Sequence, residues 1–307
     1  MSNVLDVQNV DQKFRAGFWM KKVQILFDIC IKVPAQAIFG FLGPNGAGKT
    51  TLIHLIVGLR KPTNGCIKVL GHAATSLQAR AKLGYLPERP YFYEHLTSEG
   101  MLLYFGTLSG MKKHKILSRI PKVLSSVGLL HARRLELRKF SKGMLQRIGI
   151  AQALLHDPEF LVLDEPMSGL DPVGRKEMRE LLVEQVTSGR TVFFSSHVIP
   201  DVEAICNQVA VINKGKILSC GPIGGFLSKG PLQTEIAFQG LSLEKAQKIS
   251  FFQSLKQMPD GFRVMVSSQQ EVHQSIEQLI RFGATILWVI PVRPSLEDLF
   301  MSQIGES

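Results

Sequence analysis

Residues 43–51 read GPNGAGKTT and lie between two apolar runs, AIFGFL and LIHLIVGL. Few turns constrain a fold as tightly. Gly43, Gly48, Lys49 and Thr50 fill the pattern G-x-x-x-x-G-K-[ST], with Pro44, Asn45, Gly46 and Ala47 inside it and Thr51 following. A triphosphate presents many anionic oxygens in a small volume. Backbone N–H groups wrap it only where no Cβ intrudes and positive φ is tolerated, which selects glycine. A helix starting at the turn aims its free N–H groups and positive dipole end at the same anion. Lys49 is then the ligand of the β- and γ-phosphates, and the Thr50 hydroxyl the expected Mg²⁺ ligand. The turn alone leaves a kinase, a GTPase, a helicase or a transport ATPase open.

The surrounding pattern predicts an α/β fold. VLDVQNV, QILFDICIKV and AIFGFL read as strands, the first two as a small antiparallel sheet. Residues 50–60 read as helix and CIKVLG as strand. Residues 94–139 are mainly helical, with a start at Thr97 and continuation around Pro121. EFLVLDEP is a buried strand ending in two acids, VGRKEMRELLVEQVTSG an amphipathic helix, and TVFFSSH and QVAVINKG strands. This alternation implies a mixed, largely parallel sheet covered by helices. Past Gly230 the character changes. TEIAFQG, GFRVMVS and ATILWVIPV read as strands, with LEKAQKISFFQSL and QEVHQSIEQLIRFG as helices between them. The expected division is a nucleotide-binding domain at 1–228, mainly helical at about 90–150, and a small α+β domain at 229–307.

Charge and cysteine usage narrow the class. The net charge of +11 is uneven: residues 231–307 carry −2, and residues 111–147 hold eleven Lys/Arg against one acid, Glu136. A positive surface of that kind favours phosphate-rich partners such as nucleotide, nucleic acid or anionic lipid. Cys30, Cys66, Cys206 and Cys220 show no metal-ligand spacing and are expected as reduced, buried thiols. No apolar run is long enough to span a bilayer, and no secretory signal opens the chain.

The second half of the site discriminates among the nucleotide enzymes. FLVLDEP places Asp164 and Glu165 at a strand end, where Asp164 can hold Mg²⁺ through water and Glu165 can polarise an attacking water. Read as one block, FSKGMLQRIGIAQALLHDPEFLVLDEPMSGLDP resembles the signature-to-D-loop segment of ATP-binding cassette (ABC) ATPases. The resemblance covers about residues 3–225. It implies the P-loop cassette fold, with a mixed sheet, a small antiparallel sheet and a helical subdomain. Ser141 and Gly143 then stand where the family binds the γ-phosphate of ATP held by a second subunit, and Asp171 closes the D-loop that begins at Ser168. His197 takes the place of the switch histidine, and Phe14 that of the aromatic stacked on adenine, with Phe18 or Trp19 as substitutes. Glu88, in GYLPERP, stands where the family carries a glutamine near the metal-bound water. Phe140-Ser141-Lys142-Gly143-Met144 departs from the usual Leu-Ser-Gly-Gly-Gln, and Lys142 adds a cation near the partner's phosphates.

The resemblance implies an ATPase using ATP and Mg²⁺, with Thr50, Glu88 and Asp164 at the metal and Glu165 and His197 at the reaction. It also implies pairing with a second ATPase subunit, here expected as a homodimer around two ATPs. The pair would drive a separate transmembrane permease from the cytoplasmic face of the membrane. VIPVRPSLEDLF is similar to the end of cassettes serving exporters, which favours export. Tyr91, Phe92 and Tyr93 are the expected coupling surface, and the basic run is expected to meet anionic head groups. A soluble cassette acting on nucleic acid is the contrasting reading. The roughly fifty residues between Glu88 and Ser141 are too few for the long coiled-coil insertion of DNA-repair relatives.

Overall fold

The computed structural model describes residues 3–16, 21–227, 233–247, 254–266 and 269–292. It divides into two compact units, Met1–Ile223 and Gly224–Ser307.

In the first unit the strands are β1 (Asn3–Ala16), β2 (Lys21–Pro34), β3 (Ile38–Leu42), β4 (Asn64–Val69), β5 (His72–Ala73), β6 (Leu83–Leu86), β7 (Phe160–Leu163), β8 (Thr191–Ser196), β9 (Gln208–Asn213) and β10 (Lys216–Pro222). The helices are α1 (Lys49–Ile56), α2 (Leu77–Ala81), α3 (Ser98–Leu108), α4 (Lys113–Ser126), α5 (Lys142–Leu154), α6 (Pro172–Thr187) and α7 (Ile199–Ile205), with α8 (Ile223–Leu227) at the division. One sheet runs β10-β9-β3-β8-β7-β6. Its β9, β3, β8, β7 and β6 are parallel, and β10 returns antiparallel at the edge. The other sheet, β2-β1-β4-β5, is antiparallel throughout. The central strands β3, β7 and β8 are buried at every position, as expected of parallel strands covered on both faces. Leu52, Ile53, Leu55 and Ile56 of α1 join β1, β2 and β4 and the adjoining strands of the parallel sheet in one core cluster.

Helix α1 stops four residues earlier than the apolar pattern predicts. Gly58 takes φ +73°, and a Cβ there would overlap the Ala74 carbonyl, so the chain turns off in the left-handed conformation. The prediction of buried thiols holds only for Cys206; Cys30, Cys66 and Cys220 are exposed. Cys30 and Cys66 lie on the antiparallel sheet, whose strands alternate between a core face and a solvent face. Burial pushes the Cys206 thiol pKa up.

In the second unit β11 (Gln233–Gln239), β12 (Ser254–Met258), β13 (Gly261–Val266) and β14 (Thr285–Val292) form an antiparallel sheet ordered β12-β13-β11-β14. Helices α9 (Leu243–Gln247) and α10 (Gln269–Arg281) accompany it. Ile236, Phe238, Phe262, Val264 and Val266 of the sheet and Ala246 and Leu279 of the helices make its core. Ser254 and Leu255, expected in a helix, are in β12, because Leu255 pairs with Val264 and packs against this core. Residues 293–307, with the PSLEDLF segment, lie outside the described residues.

Candidate functional site

The glycine-rich turn joins the end of β3 to α1, at the carboxyl edge of the parallel sheet, where open α/β sheets bind ligands. Gly48 caps α1 at φ +106°, a conformation that an L residue rarely holds. A cavity of about 530 Å³ opens over the turn. Asn45, Gly46, Gly48, Lys49, Thr50 and Thr51 line it from the turn, and Phe14 and Ile25 from the antiparallel sheet. Glu88, Glu165, Ser168 and His197 complete the wall. Of the other turn residues, Gly43 packs under the cavity, where a Cβ would overlap the Ile212 carbonyl. Ala47 is buried, and its N–H donates to the Pro44 carbonyl at 3.2 Å.

Charge is concentrated on the cavity floor. Lys49 is 6 % exposed, and its Nζ donates to the Gly43 carbonyl at 2.7 Å and the Pro44 carbonyl at 3.2 Å. Its ammonium also lies 3.1 Å from Glu165 Oε1. The other carboxylate oxygen of Glu165 is 2.9 Å from His197 Nδ1. Glu165 itself stands at φ +48°, left-handed backbone that costs a non-glycine residue free energy and is found where function requires it. That backbone turn aims its carboxylate between a cation and an imidazole.

Asp164 is beneath it, nearly fully buried. Its Oδ1 accepts from Ser195 Oγ at 2.6 Å. Burial raises its pKa, and the charges of Glu165 and Glu88 act in the same direction, against the lowering effect of the Ser195 and Thr50 hydroxyls. Oδ2 is buried with no hydrogen-bond partner. Among the described residues no three His, Cys, Asp or Glu side chains converge as a closed metal cage. A buried orphan carboxylate oxygen, next in sequence to Glu165 and near Thr50, both of which line the cavity, belongs to an all-oxygen donor set that fits Mg²⁺ shared with a substrate's phosphates.

Phe14 has Val23 opposite it across the β1–β2 pair, and the Arg60 guanidinium lies 5.0 Å from its ring centroid. Phe18 and Trp19 lie outside the described residues.

Ser141, Gly143 and Asp171 are not at this cavity. They line a second one, of about 560 Å³, with Lys142, Arg147, Gly169 and Glu177. Ser141 caps α5 by accepting from the Met144 N–H at 3.3 Å, and Asp171 caps α6 by accepting from the Gly174 N–H at 2.9 Å. Two helix N-termini therefore open onto one concavity. Lys142 folds back over Gly169, so that a Cβ on that glycine would overlap its ammonium. One chain thus carries two separate concavities, each lined by only part of the expected constellation.

A family profile described as ABC transporter matches residues 26–168. An ABC transporter ATP-binding protein of Synechocystis sp. is 38 % identical over 99 % of this chain and 86 % of its own length. The chain belongs to the ABC transporter ATP-binding protein family. The bacitracin transport ATP-binding protein BcrA of Bacillus licheniformis is 35 % identical over 90 % of each chain. Among solved structures, an ATP-binding subunit of an ABC transporter superposes with a TM-score of 0.63 at 28 % identity, over 72 % of this chain and 91 % of that one. The Clostridium perfringens cbiO1, part of the ABC transporter complex cbiONQ, superposes with a TM-score of 0.65 at 26 % identity, over 75 % and 92 %. The glycine-rich turn, with Asp164 and Glu165, falls inside the matched profile, and this ABC subunit binds and hydrolyses ATP.

Reading the motifs missed two residues. Ser195 bonds both Asp164 and Glu165, and its signal was a hydroxyl in the apolar strand TVFFSSH, two positions before His197. Arg60 against Phe14 left no local signal, because the two are 46 positions apart.

Proposed function

We propose that this chain is the ATPase of an exporter whose membrane-spanning permease is a separate subunit, and that two copies close head-to-tail around two ATPs. The observation that carries the reading is the separation of Lys49, Thr50, Glu165 and His197 from Ser141, Gly143 and Asp171 in two cavities of one chain. A γ-phosphate seated on Lys49 then takes its remaining donors from a second copy.

In this reading Lys49 exchanges Glu165 and the turn carbonyls for phosphate oxygens. The Glu165 carboxylate, released from the ammonium and steadied by His197, accepts the proton of the attacking water. Phe14 stacks on the base, and the amides of Gly46 and Gly48, with the N-terminus of α1, hold the phosphates. Thr50, Asp164 and Glu88 would hold Mg²⁺, directly or through water. A Mg²⁺ held by these residues would supply positive charge against the phosphates. Hydrolysis removes the anionic link between the copies, and the change in closure moves the permease.

No described helix is long and apolar enough to cross a membrane, so the reading needs a partner that does. Tyr91, 92 % exposed, and Tyr93, 48 % exposed, are its proposed contact, together with an apolar groove bordered by Leu77, Leu83, Tyr85, Phe105 and Leu108. Phe92 does not belong to that surface: it is buried and packs edge-on against Phe105. Among the eleven cations at 111–147, Arg119, Arg133, Arg138 and Arg147 are held in ion pairs with Asp157, Glu99, Glu136 and Glu177. Lys112, Lys113, Lys115 and Lys122 are exposed on α4 and the turn before it, beside exposed Leu108 and Leu117. They are the cations proposed to meet anionic head groups, each contributing about 1 kcal/mol. Peripheral placement on the cytoplasmic face follows. The likeness to bacitracin transport proteins and the PSLEDLF segment favour export.

The test is ATPase activity of the purified chain with its permease in anionic proteoliposomes, compared with DNA and RNA. Stimulation by the permease alone is expected. Stimulation by nucleic acid, with none by the permease, overturns the reading.

A further inference from the structure

Strand β8 is buried at all six positions, and its middle is Val192, Phe193 and Phe194. A hydroxyl in such a strand costs free energy unless both its donor and its acceptor capacity are used. Ser195, fully buried, uses both. It lies opposite Phe41 of β3, two positions before the glycine-rich turn begins. On its other side the pairing with β7 ends at Leu163 opposite Phe194, one residue short of Asp164. Ser195 therefore occupies the first level of the sheet where β7 no longer runs alongside β8, and the peptide of Glu165 loses a strand carbonyl as acceptor.

The hydroxyl fills that gap twice over. Its oxygen accepts from the Glu165 backbone N–H at 2.9 Å, and its proton goes to Asp164 Oδ1 at 2.6 Å. The first bond pins the peptide of the residue that stands at φ +48°. The second fixes one oxygen of Asp164 and leaves Oδ2 as the unpartnered one. One atom thus sets both the backbone that aims the Glu165 carboxylate and the rotation of the Asp164 carboxylate.

We infer that Ser195 is a positioning residue of the hydrolytic site, holding Asp164 and Glu165 in a fixed mutual orientation through a single buried hydroxyl. The inference rests on the proposed roles of those two acids. A serine buried merely to fill space predicts that its loss lowers stability and leaves the site's properties in proportion. A positioning role predicts a selective loss: binding of the metal-free nucleotide survives, because Lys49 and the turn amides are untouched, while metal recruitment and turnover fail together.

The experiment compares wild type, Ser195→Ala and Ser195→Thr as full chains. Three quantities are measured: affinity for a fluorescent ATP analogue in EDTA, the Mn²⁺ concentration that half-saturates the nucleotide complex by electron paramagnetic resonance, and kcat and KM with the permease. For Ser195→Ala the expected results are metal-free affinity within about twofold of wild type, a half-saturating Mn²⁺ concentration raised about tenfold, and kcat reduced at least about tenfold with KM nearly unchanged. Ser195→Thr, which keeps the hydroxyl, recovers most of both losses. If Ser195→Ala does not fold, Ser195→Cys, similar in shape and a weak hydrogen-bonding group, is read in its place with the same expectations. Unchanged Mn²⁺ binding and kcat in the Ala or Cys variant overturn the inference, as does a metal-free affinity that falls as far as kcat. Wild type that binds Mn²⁺ and nucleotide but shows no permease-stimulated turnover sinks the exporter reading instead, and the Mn²⁺ comparison still judges Ser195.

Discussion

Gly43 and Gly46 stand three positions apart in one turn, and each is glycine for a different reason. A Cβ on Gly43 would overlap the Ile212 carbonyl and its Cγ2, so the residue is small because β9 passes beneath it. Gly46 has open space around it but takes φ +80°. Overpacking against backbone costs about 1–3 kcal/mol, and a left-handed L residue about 1–2 kcal/mol. Gly43→Ala is therefore expected to lower the urea midpoint of the ATPase unit at least as far as Gly46→Ala. Gly46→Ala is expected to weaken nucleotide binding more relative to its stability loss, because its new methyl enters the cavity. The reverse pattern in denaturation and binding titrations would remove the packing argument. The difference between these glycines was not legible in the sequence, where both fit one pattern. Lys49, Thr50 and Glu165 were expected from phosphate and water chemistry and His197 from the family resemblance, and the fold gathers all four around one cavity. Ser195 was not expected, since its two partners lie about 30 positions away, just past the end of β7, and the adjacent Ser196 offers the same residue type with no such partners.

At the level of elements, the strands of the parallel sheet and the amphipathic helices were readable from their apolar periods, while their ends were set by contacts distant in sequence. Helix α1 ends at Ile56 because of Gly58 against Ala74, and Phe92 leaves the expected aromatic surface because Phe105 of α3 receives it. The junction of α5 with β6 carries a pH-dependent contact of the same hidden kind. His156, just past α5, donates Nε2–H to the Leu83 carbonyl at 3.0 Å. Burial drives its pKa below 6.5, and the nearby Arg119 charge acts the same way; the Leu83 bond and the Asp157 charge oppose them. The folded chain thus holds a neutral imidazole where the unfolded chain takes up a proton. Its contribution to stability is complete above the unfolded value and is lost as pH falls from about 6.5 toward the depressed folded value. His156→Gln is expected to shrink the drop in urea midpoint between about pH 7.5 and about pH 5.5. Equal drops in the two proteins would show that the imidazole is already protonated, or indifferent, in the fold.

For the whole molecule the decisive observation is that the two sets of expected site residues line different cavities, which the proposed pairing of copies turns into two half-sites. Lys49 and Glu165 belong to one, and Ser141 and Gly143 to the other. The family resemblance already implied that the two sets serve different ATPs, and the folded chain has them lining different cavities. Head-to-tail closure has a consequence that a self-sufficient monomer cannot imitate. Lys49→Ala disables the phosphate cradle but keeps the signature face, and Ser141→Ala does the converse. A mixed pair therefore contains one site built from an intact Lys49 and an intact Ser141, and one built from two damaged halves. Each variant alone is expected to be nearly inactive with the permease, whereas assembling the two together should restore turnover clearly above either. Glu165→Gln, which keeps the binding groups and removes the proton acceptor, should accumulate as an ATP-dependent dimer in analytical ultracentrifugation, and the same protein in ADP should sediment as a monomer. If mixing restores nothing while that dimer forms, the two copies meet through some other face. If neither result appears, the nucleotide does not join copies of this chain, and the second half-site has to be supplied by a different ATPase subunit.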